Sequence, residues 1–247
     1  MNDIILTEIN EKLKIYQNKD GLTFGTDAYL LYAYMKKRTK DTACDFGSGT
    51  GVISLLAASK EKYAKIHACE LQSDFYDLIC DNIKENGLCD RIIAHNCNVC
   101  ELTADFFGKA VEVVFTNPPY MKVDNGKGNI NEAKNIARHE TCGSIYDFCT
   151  AASRVLKHGG YFYCVYRPDR LADLMDAMRK SALEPKKMTF VHARLELAPC
   201  LVLVEAKKGA GSSLNVTKPL IMYNADGTYT DDLNYIYDNG EFNEQYK

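Results

Sequence analysis

The chain contains no tryptophan, and only six prolines interrupt its 247 residues. It has no apolar run approaching the ~20 residues that span a bilayer. Its N-terminus, MNDIILTEINEKLK, lacks the basic-then-apolar layout of a secretory leader. A cytoplasmic protein with no membrane role is expected. Neither sign of charge is in excess: 30 Lys and Arg stand against 33 Asp and Glu, a net charge of −3. That balance lacks the basic footprint of a nucleic-acid binder, so any such binding must rest on local patches. Lys36-Lys37-Arg38 is one candidate, and the scatter of Lys122, Lys127, Lys134, Arg138 and His139 is another. The five histidines are dispersed, and no G-x-S-x-G turn offers a hydrolase nucleophile. The ten cysteines have no module-like spacing. Cys97-Asn98-Val99-Cys100 has C-x-x-C spacing but no second pair to complete a zinc site. Cys44, Cys69 and Cys164 lie in apolar runs, as small hydrophobes do. No metal is expected, and the thiols read as those of a reduced intracellular protein.

What is present is globular material. Hydrophobic residues make up 46% and charged residues 26%, enough for one large domain or two small ones with a real core. Seven segments read as strands: 42–46, 65–70, 91–95, 111–116, 161–166, 188–192 and 201–206. Between them, helices are expected over 52–58, 73–86, 144–156 and 168–180. Ser73 is the expected cap of the second helix, and Gly159-Gly160 the stop after the third. The alternation predicts an α/β fold: a Rossmann-like, seven-stranded, mainly parallel sheet with helices on both faces. Residues 1–40 read as a lead-in. Leu13–Gln17 and Leu22–Phe24 would form a hairpin across Asn18-Lys19-Asp20-Gly21, followed by a helix over 28–37 capped by Thr26 or Asp27. Residues 41–207 would be the main domain and 208–247 a C-terminal extension. The latter follows a flexible-looking Lys207–Ser213 and turns polar, with fraying expected, from Asp238.

Two motifs close strands, where ligands of such sheets bind. The first is Asp45-Phe46-Gly47-Ser48-Gly49-Thr50-Gly51. Its G-x-G-x-G spacing differs from the dinucleotide fingerprint G-x-G-x-x-G, which disfavours a nicotinamide-dependent dehydrogenase. Glycines let the backbone turn tightly and approach a ligand. A dinucleotide loop aims N–H groups at a pyrophosphate. A tighter turn beside an acid suits the doubly charged amino-acid end of S-adenosylmethionine, which has no phosphate. Glu70 ends the next strand, where a carboxylate can accept hydrogen bonds from both ribose hydroxyls.

The second motif is Asn117-Pro118-Pro119-Tyr120. Two prolines remove two backbone donors and fix φ, leaving a rigid turn of carbonyl acceptors. An exocyclic NH2 group needs acceptors for both hydrogens. Asn117 Oδ1 and the Pro118 carbonyl could supply them, freeing the nitrogen lone pair for attack on a methyl group. Tyr120 could stack on a flat substrate. The competing reading is an ordinary turn. His139, in Ile136-Ala137-Arg138-His139-Glu140, could touch substrate or merely anchor its loop. Together the motifs suggest methyl transfer from S-adenosylmethionine to an amino nitrogen.

These residues resemble the class I S-adenosylmethionine-dependent methyltransferases with the small methyltransferase domain, and among them the bacterial tRNA-Val adenine-N6 methyltransferases. The resemblance runs over nearly the whole chain. It includes Phe24-Gly25-Thr26-Asp27-Ala28-Tyr29-Leu30-Leu31, the glycine loop, NPPY, Ala137-Arg138-His139-Glu140 and Leu203–Gly209. Pro219–Tyr223 and Gly227–Thr230 extend it into the tail. It implies that Asp45, Gly47, Gly49 and Gly51 bind the methionine part of the cofactor and that Glu70 holds the ribose. Thr26 and Asp27 would lie on a lid over it. Asn98 stands where many such enzymes carry an Asp that contacts the cofactor's adenine. Catalysis falls to Asn117, Pro118 and Tyr120, and substrate contact to Lys122, Arg138 and His139. The implied partner is RNA, with tRNA expected. Two alternatives stay open: glutamine methylation of a release factor, and a non-catalytic RNA-binding protein on the same fold. The first usually carries a helical N-terminal domain, whereas about forty residues precede the loop here.

Overall fold

The computed structural model describes residues 4–10, 13–18, 25–118 and 143–246. Along them run β1 (Ile4–Asn10), β2 (Leu13–Asn18), α1 (Thr26–Tyr34), β3 (Arg38–Phe46), α2 (Val52–Ser59), β4 (Tyr63–Glu70), α3 (Ser73–Glu85) and β5 (Ile92–Asn96). Then come β6 (Val111–Thr116), α4 (Ile145–Val155), β7 (Leu156–Tyr166), α5 (Leu171–Lys180), β8 (Leu183–His192) and β9 (Pro199–Lys208). The chain ends with β10 (Asn215–Val216), β11 (Leu220–Ile221) and α6 (Asp231–Asn239).

β1 and β2 form a separate antiparallel pair. The main sheet has the order β10-β8-β9-β7-β6-β3-β4-β5, with β11 also paired to β8. β7, β6, β3, β4 and β5 are mutually parallel, while β9 runs against both β7 and β8. The expected α/β sheet is therefore present, with two short strands added at its edge. From β3 the chain steps to β4 and β5 on one side, then returns to place β6 on the other. That reversal makes a switch point between β3 and β6, at their carboxyl ends. Strand residues alternate between two cores. Ala43, Val113, Phe115 and Tyr163 share one with α1, α2, α3 and α6; Cys44, Val114, Phe162 and Cys164 share the other with α4 and α5. Burial on both faces explains the nearly continuous apolar strands.

Several expectations are corrected. The hairpin pairs Leu13–Asn18 with the preceding Ile4–Asn10; Leu22–Phe24 lies outside the described residues. The helix expected over 28–37 spans Thr26–Tyr34, with Gly25 at its N-cap and no side-chain cap bond. Gln72, rather than Ser73, stands at the cap of α3. α4 has the full capping box, with Ser144 and Asp147 exchanging bonds. It passes at once into β7, so Gly159 and Gly160 lie within the strand rather than stopping a helix. The segment after β9 is tied down: Lys186 Nζ donates to the Gly211 carbonyl at 3.0 Å, and β10 pairs with β8. Nor is the tail frayed. Phe242 and Tyr246 are buried, and Tyr246 Oη donates to Asp232 Oδ2 at 2.8 Å.

Candidate active site

The site lies where β3, β4 and β6 end together. Register sets Phe46 opposite Cys69 on one side and Thr116 on the other. Thr116 Oγ1 donates to the Phe46 carbonyl at 2.8 Å, fastening the two strand ends. Neighbouring strands lie about 4.8 Å apart. The glycine loop and the Asn117 turn, separated by seventy residues of chain, therefore leave the sheet side by side.

The glycine loop hangs from the end of β4. Gly47 N and Ser48 N both donate to the Cys69 carbonyl, at 2.9 and 3.1 Å. Gly49 and Gly51 have φ of +56° and +85°, a region that glycine enters without strain. A Cβ on Gly51 would lie 3.2 Å from Ile79, whereas Gly49 faces open space. Beneath the loop is a residue that sequence reading missed. Asn82 on α3 is fully buried; its Oδ1 accepts from Tyr16 N at 2.6 Å and its Nδ2 donates to the Thr50 carbonyl at 2.9 Å. It joins the N-terminal hairpin to the loop. The signal for it was an amide within the apolar stripe of Leu78, Ile79 and Ile83.

Two acids face the loop. Asp45 is 1% exposed, and its Oδ2 accepts from Ser54 Oγ at 2.7 Å. Burial pushes its carboxyl up to about 7; the Ser54 bond opposes that shift, and the nearby charge of Glu70 adds to it. Glu70 Oε2 accepts from Gly49 N and Oε1 from Gln72 N, both at 2.9 Å. Burial raises its pKa too, while those backbone donors pull it back. Ser54 is the second residue sequence reading missed, marked only as a hydroxyl in an otherwise apolar helix start. Among the described residues, Asp45 Oδ1 and Ser48 Oγ are buried without a hydrogen-bond partner. Two buried acids, two polar atoms awaiting partners and a glycine open to space fit a cationic ligand bearing hydroxyls. S-adenosylmethionine meets that description.

At the end of β6, Asn117 Nδ2 donates to Asp27 Oδ2 at 2.9 Å. Asp27, expected on a lid over the cofactor, thus meets the acceptor turn. Thr26 lines a cavity of about 520 Å³ shared with Ile9, Tyr29, Lys60 and Tyr237. Asn98 follows β5, near Glu70, whose carbonyl accepts from Cys97 N at 2.9 Å. Asn98 Oδ1 accepts from Cys100 N at 3.0 Å, capping a short helical turn, and keeps a second lone pair for a further donor. Pro118 is buried. Tyr120, Lys122, Lys127, Lys134, Arg138 and His139 lie outside the described residues.

The Lys36–Arg38 patch is not beside this site. Arg38 opens β3, and eight strand steps separate it from Phe46, a span of roughly 26 Å. Its guanidinium pairs with Asp41 and sits 4.6 Å from the Tyr161 ring centre, while Lys36 Nζ pairs with Glu205 at 3.1 Å. These cations already have partners. Among the described residues the cysteines are free, no cluster of His, Cys, Asp and Glu could hold a metal, and no helix is long and apolar enough to cross a membrane.

The sequence profile of the methyltransferase small domain matches residues 17–181. The tRNA1(Val) (adenine(37)-N6)-methyltransferase of Dyadobacter fermentans is 25% identical over 222 residues, 90% of each chain. The protein of the same name from Phocaeicola vulgatus is 27% identical over 197 residues, 80% of this chain and 82% of its own. The crystal structure of a predicted O-methyltransferase from Agrobacterium tumefaciens superposes with a TM-score of 0.71 at 21% identity, covering 88% of this chain and 98% of its own. That last likeness speaks for the fold. Since the profile spans well over half of its length, the chain belongs to the methyltransferase small domain family, and it is an S-adenosylmethionine-dependent methyltransferase.

Proposed function

We propose that the chain methylates the exocyclic N6 of an adenine in tRNA. The observation that carries this reading is the placement of an acceptor-rich turn, Asn117-Pro118, one strand away from an acidic glycine loop. Relatives spanning most of the chain bear the name tRNA1(Val) (adenine(37)-N6)-methyltransferase, which supports adenine as the base and tRNA as its carrier.

S-adenosylmethionine, when bound, supplies a methyl group already activated on a sulfonium. No general base is then needed before attack. Asp45 and Ser48 offer the cofactor's amino-acid end an anionic and a polar partner, and Glu70 faces its ribose. Asn117 Oδ1 and the Pro118 carbonyl accept the two amine hydrogens and turn the nitrogen lone pair toward the methyl. Holding both reactants in this geometry is worth roughly 7–11 kcal/mol of barrier in well-oriented systems. An anticodon-loop adenine is the least costly to unstack into such a site. Lys122, Arg138 and His139 are the proposed RNA contacts, with the phosphate contacts positioning the tRNA and the pocket choosing the base. Such work belongs in the cytoplasm.

The test is methyl transfer from labelled cofactor to total tRNA, DNA and release factor, followed by nucleoside mass spectrometry. Label is expected in tRNA as N6-methyladenosine. Label confined to protein would replace this reading with glutamine methylation.

A further inference from the structure

We infer that Asp27 is a positioning residue that sets which way the Asn117 amide faces. The inference rests on the proposed role of Asn117 as acceptor for the substrate amine. An asparagine side chain presents a donor on one side and an acceptor on the other. An ionised carboxylate accepts only, so the Nδ2 group alone can face Asp27 Oδ2, at 2.9 Å. Oδ1 is thereby turned to the opposite side of the amide. Flipped, Asn117 would offer N–H groups to an amine that needs an acceptor.

Asp27 is itself held rigidly. Its Oδ1 accepts from Ala28 N at 2.9 Å, so its own helix fixes one oxygen and leaves the other for Asn117. α1 is anchored along its length: Leu30 and Leu31 are fully buried, and Lys62 Nζ donates to the Tyr32 and Met35 carbonyls at its far end, at 2.8 and 2.7 Å. Gly25 reserves the space. A Cβ there would lie 2.5 Å from Asp27 Oδ1, although the Gly25 φ of −105° suits any residue. An alanine at 25 would displace the carboxylate without touching Asp27 chemically.

The test is a mutant cycle on the full chain. Asp27→Asn keeps the shape but holds one oxygen where two are needed, so an NH2 group faces either Ala28 N or Asn117. We expect kcat for tRNA methylation to fall about 10²-fold, as when one oriented partner is lost from a transition state. The cofactor Kd and the KM for tRNA should stay within about twofold, since phosphate contacts carry most of the tRNA's affinity and the amine grip acts chiefly on the transition state. Asn117→Ala should lose activity as well. Adding Asp27→Asn to it should cost nothing further, because residues acting as a unit are non-additive. Gly25→Ala is the second variant, should Asp27→Asn melt early, and the same cycle applies to it. Near-normal kcat in Asp27→Asn, or losses that multiply with Asn117→Ala, would overturn the inference. Near-normal kcat in Asn117→Ala would instead overturn the acceptor reading on which it rests.

Discussion

Asp45, the next-to-last residue of β3, has one carboxylate oxygen bonded to Ser54 and the other buried with no partner among the described residues. Burial pushes its carboxyl up to about 7, so a share of the molecules is expected to carry a proton there at neutral pH before cofactor binds. A cationic ligand favours the carboxylate, so binding must expel that proton. The carboxyl's pKa before binding is raised to about 7, so proton release on binding is lost as pH rises through about 7. Cofactor affinity should therefore rise with pH up to about 7 and flatten above it. Calorimetry in buffers of different ionisation enthalpy should find close to one proton released near about pH 6 and almost none near about pH 9. Asp45→Asn should abolish the release. Uptake or silence at the lower pH would show that Asp45 does not face the cofactor. At this scale the acids and glycines were legible because each sits in a local strand-end pattern. Ser54 and Asn82 were not, since each matters only through a partner on another element.

Among elements, α6 and the residues after it depart furthest from expectation. From Asp238 onward the sequence is mostly polar, yet Phe242 packs edge-on against Tyr34 and Tyr246 with ring centres 5.3 and 5.1 Å away. Those contacts cover α1, the helix that carries Asp27. Phe242→Ala should lower stability by about 3–5 kcal/mol, the usual cost of removing a buried ring. Chemical denaturation would measure it, and an unchanged midpoint would mean that the tail does not belong to the core. Polarity misled here because the two large side chains that are buried, Phe242 and Tyr246, are spread among polar neighbours rather than in a periodic stripe. Ile4–Asn10 was missed as the partner of Leu13–Asn18 for a related reason, since its exposed Ile4, Ile5 and Leu6 beside Glu8 resemble a free terminus.

For the molecule as a whole, one sheet separates two cores, and the site touches β3, β4 and β6 at once. A ligand bound there bridges the centre of the sheet and should stabilise the native state globally. With S-adenosylmethionine at one hundred times its Kd, the gain should be about 2.7 kcal/mol. Thermal melting with and without cofactor would detect it as a rise in Tm. No rise at saturating ligand would rule out binding at this strand edge.

Alone, the sequence determined the alternation of strands and helices, the burial of both sheet faces, and the chemistry available at each strand end. Those properties are local: periodicity records which faces are dry, and glycine, proline and acid patterns record what a turn can hold. Tertiary structure decided the lateral order of strands, which sets Asn117 beside the glycine loop, and the return of α1 that brings Asp27 to the Asn117 amide. It also decided that Lys36 and Arg38 lie at the opposite end of the strands from the site and that the Asn98 oxygen caps a turn. These are pairings between residues distant in the chain. They are chosen by how the crossovers bury both faces of the sheet together, and no single segment carries that choice.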